Sequence, residues 1–124
     1  MRLRTLFQFT YKRLAAMALL TISTATAARA DIDCSGTLAS VLVYNGGMLV
    51  INASWRGDYT KLCNLSGTPT DIATCAAWVA IAKEAIRSAK TVWTYYYDST
   101  GTLTCATLPT YGSTPTPAYF ALRP

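Results

Sequence analysis

The chain has 124 residues, with 11 Lys and Arg, 6 Asp and Glu, four Cys and no His. Without His there is no Ser-His or Cys-His nucleophilic unit. The net charge of +5 is unevenly placed: Arg2, Arg4, Lys12, Arg13 and Arg29 lie in the first thirty residues, and the other basic residues balance the acids. A phosphate-binding surface needs clustered positive charge, so nucleic acid is not an expected partner.

The first thirty residues have the layout of an export signal. A basic start precedes residues 14–27, which are apolar, rich in small side chains and too short to span a bilayer comfortably. Ala28-Arg29-Ala30 fits the small-x-small cleavage rule. Residues 1–30 are therefore expected to be a signal peptide, and residues 31–124 a single domain with a modest core. The product is expected in the periplasm or outside the cell, with no membrane span after signal removal.

Residues 34–44 read as a first strand, with Val41 and Val43 on one face and Leu42 and Tyr44 on the other. Asn45-Gly46-Gly47 is a tight-turn signal, because these residues tolerate positive φ. Residues 48–55 resume the strand pattern and complete a hairpin. Arg56-Gly57-Asp58 is a second turn, with Arg56 and Asp58 placed to pair across it. Residues 59–65 are a third strand, and residues 66–70 a loop.

Residues 71–90 carry the one strong helix pattern. Cys75, Trp78, Val79, Ala82, Ile86 and Ala89 form an apolar stripe at helical spacing. Thr70, Asp71 and Thr74 offer N-capping oxygens, and Arg87 and Lys90 suit the negative end of the dipole. Trp78 is central on the stripe and is expected to pack against a sheet.

Residues 91–97 have the β-branched and aromatic composition of a strand. A turn at residues 98–101 leads to residues 102–107, expected to pair back as a short strand. Residues 108–117 carry three prolines and are excluded from a sheet interior. Residues 118–122 close the chain as an edge strand.

The four cysteines of an exported chain read as two disulfides. Three pairings are open. The favoured one joins Cys63 to Cys75, a short loop over the helix N-terminus, and Cys34 to Cys105. No CxxC knuckle supports a metal site instead.

The fold class expected is α+β: a small antiparallel β-barrel or curled sheet of five to six strands, in the order βββ-α-ββ, with one central helix. That order is OB-like. An open antiparallel sheet with the helix on one face is the other reading.

The stretches ASWRGDYTKLCNL (residues 53–65), TCAAWVAI (74–81) and TCATLPTYGSTPTPAYFAL (104–122) resemble a group of small secreted bacterial proteins. That resemblance covers most of residues 31–124. It implies export and a compact disulfide-bonded domain, and no activity. In size and element order alone, the chain loosely resembles the OB-fold B subunits of pentameric bacterial toxins. No sugar-binding motif of theirs carries over, and a shared fold does not bring a shared function.

An enzyme is not expected. Paired-carboxylate chemistry needs convergent acids, and Asp58 and Asp98 both fall in predicted turns. Asn45-Gly46-Gly47 lacks the Lys-Ser/Thr ending of a phosphate loop, and no cofactor is expected. Arg56-Gly57-Asp58 spells an adhesion tripeptide, but its turn chemistry explains it. The sequons at Asn52 and Asn64 fall in predicted strands and are common by chance.

The functional lead is aromatic. Trp93, Tyr95 and Tyr97 share one strand face by the two-residue period. With Trp55 and Tyr59 they form the candidate binding surface, since sugars stack on such rows and protein partners use Tyr and Trp as anchors. The expected function is a non-catalytic binding module for a glycan or protein partner, compatible with homo-oligomerisation. The alternative is a structural or accessory cell-envelope protein with no small ligand. In that case the rings only fill and shield the sheet.

Overall fold

A computed structural model describes residues 30–124. The expected signal peptide lies outside the described residues. The fold of the described residues is α+β, with six strands in two antiparallel sheets and one helix. The strands are β1 (Ile32–Gly36), β2 (Leu38–Val43), β3 (Met48–Ala53), β4 (Tyr59–Asn64), β5 (Val92–Tyr96) and β6 (Tyr119–Leu122). The helix α1 (Ile72–Ser88) follows β4. One sheet has the order β1-β5-β6 and the other β2-β3-β4.

The first strand expected over residues 34–44 is in fact two. β1 pairs with β5 and β2 with β3, so the chain changes sheets at Gly36–Thr37. The change brings the backbone of Gly36 against the Ser54 side chain and the Trp55 ring. A Cβ at Gly36 would collide with the Ser54 hydroxyl, which accepts a hydrogen bond from Thr37 N at 3.1 Å. Only glycine allows that approach.

The β2–β3 hairpin closes as its turn chemistry dictates. Gly47 N donates to Tyr44 O at 2.9 Å, and Gly46 and Gly47 take φ of 89° and 85°. Residues that bear a Cβ adopt this conformation reluctantly. β4 has a covered outer edge. Tyr111 N donates to Tyr59 O at 2.9 Å, and Lys61 N donates to Thr114 Oγ1 at 3.0 Å. The proline-bearing segment thus runs along the rim of this sheet, with a parallel bridge between Thr60 and Tyr111.

Asp71 caps α1: its Oδ1 accepts from Thr74 N at 2.9 Å and its Oδ2 from Thr74 Oγ1 at 2.6 Å. These bonds hold its carboxyl below the usual carboxylate value. The buried positions of the helix are Cys75, Trp78, Ala82 and Ala85. The expected stripe was right at its start and wrong at its end. Ile86 is exposed, and Ala89 is the left-handed C-cap at φ 51°. Over the last turn the buried arc swings to Ala85, whose small side chain admits close packing.

One core cluster joins α1 to both sheets, through Leu49, Ile51, Leu62, Val92, Phe120 and Trp78. Trp78 is 7% exposed, and its ring meets Phe120 edge-on at 6.4 Å. A smaller cluster, Ile32, Cys34, Tyr96 and Leu108, lies around the Cys34–Cys105 disulfide. The other disulfide, Cys63–Cys75, ties β4 to the first turn of α1.

Further expectations are corrected. Residues 102–107 form no strand: Cys105–Thr107 is a single 3-10 turn. Thr104 and Thr107 cap it reciprocally, so their side chains bond the backbone that a strand would have used. Arg56 does not pair with Asp58. Its Nε donates to Leu108 O at 2.8 Å, while Asp58 Oδ1 accepts from Tyr59 N at 2.7 Å. Nor is a closed barrel formed, since no ladder joins β4 to β6 among the described residues.

Candidate binding face

β5 alternates strictly. Val92, Thr94 and Tyr96 are buried, while Trp93 and Tyr95 turn outward and Tyr97 follows them. β6 alternates the same way: Phe120 enters the core, and Tyr119 and Ala121 face out. Register then decides the neighbours. Tyr95 lies between Asp33 on β1 and Tyr119 on β6, and Trp93 lies between Ser35 and Ala121.

Four rings form an unbroken row on this outer face. Trp93 meets Tyr119 at 5.4 Å and 84°, Tyr119 stacks on Tyr95 at 5.4 Å and 15°, and Tyr95 meets Tyr97 at 5.5 Å and 87°. At that separation and tilt the Tyr95 and Tyr119 rings are stacked with an offset. The Arg123 guanidinium lies 4.6 Å over the Trp93 ring. Its backbone N–H donates to Thr91 O at 2.8 Å, which fixes the residue beside β5.

The row carries charge on its β1 side. Tyr95 OH donates to Asp31 Oδ2 at 2.5 Å. That bond, with partial burial and the nearby carboxylate charge, pushes the Tyr95 phenol from 10.0 up to about 12. Tyr119 is also raised, chiefly by burial and then by the Asp33 charge, with Arg123 opposing. Trp93 Nε1 is buried with no hydrogen-bond partner among the described residues.

The five residues expected to form one surface do not share one. Trp93, Tyr95 and Tyr97 are together. Trp55 is half-buried and packs against both core clusters. Tyr59 belongs to the other sheet, where its hydroxyl bonds Ser40 Oγ at 2.9 Å and its ring meets Tyr111 at 5.9 Å. Conversely, Tyr119, Arg123, Asp31 and Asp33 belong to the face and were not singled out for it. The alternation of residues 118–122 places Tyr119 outward, but nothing local reveals which rings it meets.

The two turn carboxylates serve the backbone. Asp98 is 2% exposed; its Oδ1 accepts from Thr100 N at 2.8 Å and its Oδ2 from Leu103 N at 2.7 Å. A bond from the Thr100 hydroxyl and these backbone donors pull its pKa from 3.8 to about 2. Among the described residues, no three His, Cys, Asp or Glu converge as metal ligands, and no helix is long and apolar enough to cross a membrane. No family profile, characterised protein or solved structure matches the chain.

Proposed function

We propose that the protein is an exported, non-catalytic binding module whose partner meets the outer face of the β1-β5-β6 sheet. The observation behind this reading is the row of ring contacts that ends at Tyr97, which is 61% exposed. Two disulfides suit an oxidising compartment outside the cytoplasm. A protein partner fits the face better than a glycan. Sugars stack on open ring faces, but Arg123 occupies Trp93, and Tyr95 and Tyr119 occupy each other. Edge-on Tyr with Trp and Arg is the composition of protein-interface anchors.

The same mutual packing supports the second reading, a structural or accessory envelope protein whose rings shield their own sheet. One experiment separates the two. Wild-type and Tyr97→Ala protein are immobilised and offered secreted and envelope protein fractions, and in parallel a glycan array. The expected result is a protein ligand retained by wild type and lost by the variant. A glycan lost by the variant would move the partner to sugar. Equal retention, or none, would set this face aside in favour of the structural role.

We also read the strand pairing as an OB-like sheet left open at one seam. The support is that consecutive β1 and β2 serve different sheets while β5 returns to β1. The likeness to toxin B subunits then raises homo-oligomerisation, which sedimentation tests directly. A monomer at every concentration would limit the likeness to the fold.

A further inference from the structure

The chain has three asparagines, Asn45, Asn52 and Asn64, and the fold treats them differently. The side-chain amide of an asparagine is open to attack by the backbone nitrogen of the residue that follows it. That attack needs an unengaged N–H and a peptide free to rotate. Asn64 has neither. Leu65 N donates to Gly47 O at 2.8 Å, and Asn64 Oδ1 accepts from Ser66 N at 2.9 Å and from Ser66 Oγ at 2.7 Å. Asn52 lies in β3, the middle strand of its sheet, paired with Ser40 on β2 and Tyr59 on β4. Ladders on both sides hold its backbone extended. Asn45 is exposed at the tip of the β2–β3 hairpin. The bonds that close this tip run from Gly47 N to Tyr44 O and from Tyr44 N to Met48 O, both at 2.9 Å. Among the described residues they leave Gly46 N and the Asn45 amide unengaged. A Cβ at Gly46 would meet nothing within 4 Å, so no neighbour screens that nitrogen.

We propose that Asn45 is a site of spontaneous deamidation, the one asparagine that the fold leaves open to it. The Gly46 nitrogen bonds to Asn45 Cγ, and its proton leaves with the side-chain nitrogen as ammonia. A five-membered imide remains. Water then adds to one of the two imide carbonyls and breaks its bond to the Gly46 nitrogen. The product is aspartate, or isoaspartate in which the chain runs through the side chain. Glycine at 46 helps twice: it has no Cβ to crowd the attack, and its backbone rotates where another residue would be held. Either product places a carboxylate on residues 44–48, which otherwise carry no charge. Isoaspartate also lengthens the backbone by a carbon within the turn that Gly47 N closes on Tyr44 O. Two neighbours meet that change first. Tyr44 has its ring edge-on to Tyr111 at 5.9 Å, and Leu65 N is bonded to Gly47 O. The aromatic row lies on the other sheet, so this site stands apart from the proposed binding face.

The test holds the folded, disulfide-intact protein and the reduced chain in guanidinium side by side at mildly alkaline pH, where the attacking nitrogen loses its proton more readily. Isoelectric focusing follows the gain of negative charge, and peptide mapping with isoaspartate-specific methylation locates it. The folded protein is expected to convert steadily at Asn45 while Asn52 and Asn64 stay intact. Asn45→Gln is expected to abolish the acidic species. In the converted protein the Leu65 amide should exchange with solvent faster than in the unconverted one, because its acceptor sits on the altered turn. Folded protein that keeps Asn45 intact over the time in which the unfolded chain converts it overturns the proposal, since the turn would then hold the Asn45 amide away from Gly46 N. So does an acidic species that survives Asn45→Gln or maps to Asn52 or Asn64.

Discussion

Tyr95 and Tyr119 sit opposite each other across the β5–β6 ladder with ring centroids 5.4 Å apart and planes 15° apart. This stack joins Trp93 to Tyr97 in one row. Because Tyr95 also donates its hydroxyl to Asp31, its phenol is held at about 12 against an ordinary 10.0. A folded-state pKa raised above the unfolded value contributes stability that is complete below pH 10.0 and is lost as pH climbs through about 12. Absorbance titration of phenolate is expected to show several late-ionising tyrosines, since Tyr96, Tyr111 and Tyr119 are raised too, and Tyr95→Phe is expected to remove one of them. A Tyr95→Phe protein with an unchanged titration curve would remove the Asp31 contact.

Trp78 packs on Phe120 within the cluster that joins α1 to both sheets. Trp78→Ala is expected to cost about 3–5 kcal/mol, as large core truncations do. A domain this small has total stability of roughly 5–15 kcal/mol, so its thermal midpoint should fall steeply. A midpoint within a few degrees of wild type would mean that α1 does not depend on this face.

Asp98 behaves oppositely to Tyr95. Its pKa is lowered from 3.8 to about 2 by Thr100 and Leu103 donors. The stability it contributes is present above pH 3.8 and lost as pH falls through about 2. Carboxyl NMR titration of wild type, with Asp98→Asn as reference, should place its midpoint well below 3.8. An ordinary midpoint would show the turn to be open in solution.

Tyr96 OH and Thr60 Oγ1 are buried and, by hydrogen-bond geometry, unpartnered among the described residues. Burial pushes the Tyr96 phenol upward, with Thr94 and Thr60 nearby opposing. A hydroxyl without a partner costs its desolvation and returns little. Tyr96→Phe should therefore change stability by less than about 1 kcal/mol in urea unfolding. A loss clearly larger than that would show the hydroxyl to be hydrogen-bonded in solution.

Local chemistry determined much of this protein. The Asp71 cap and helical spacing defined α1, paired glycines at positive φ made the β2–β3 hairpin, and alternation turned Trp93, Tyr95 and Tyr97 to one side. Each depends on residues within a turn or two of one another. The cysteines are joined as the favoured pairing had them, since a short loop over the helix N-terminus leaves one partner each for Cys34 and Cys105. Tertiary structure decided the rest. The sheet change at Gly36 depends on Ser54 and Trp55, which are distant in sequence. The composition of the face depends on register between β5, β1 and β6. A two-residue period says which side a ring faces, but not which ring stands across from it. That Tyr119 stacks on Tyr95, that Arg123 covers Trp93 and that Asp31 reaches Tyr95 follows from three strands far apart in the chain being brought into one sheet.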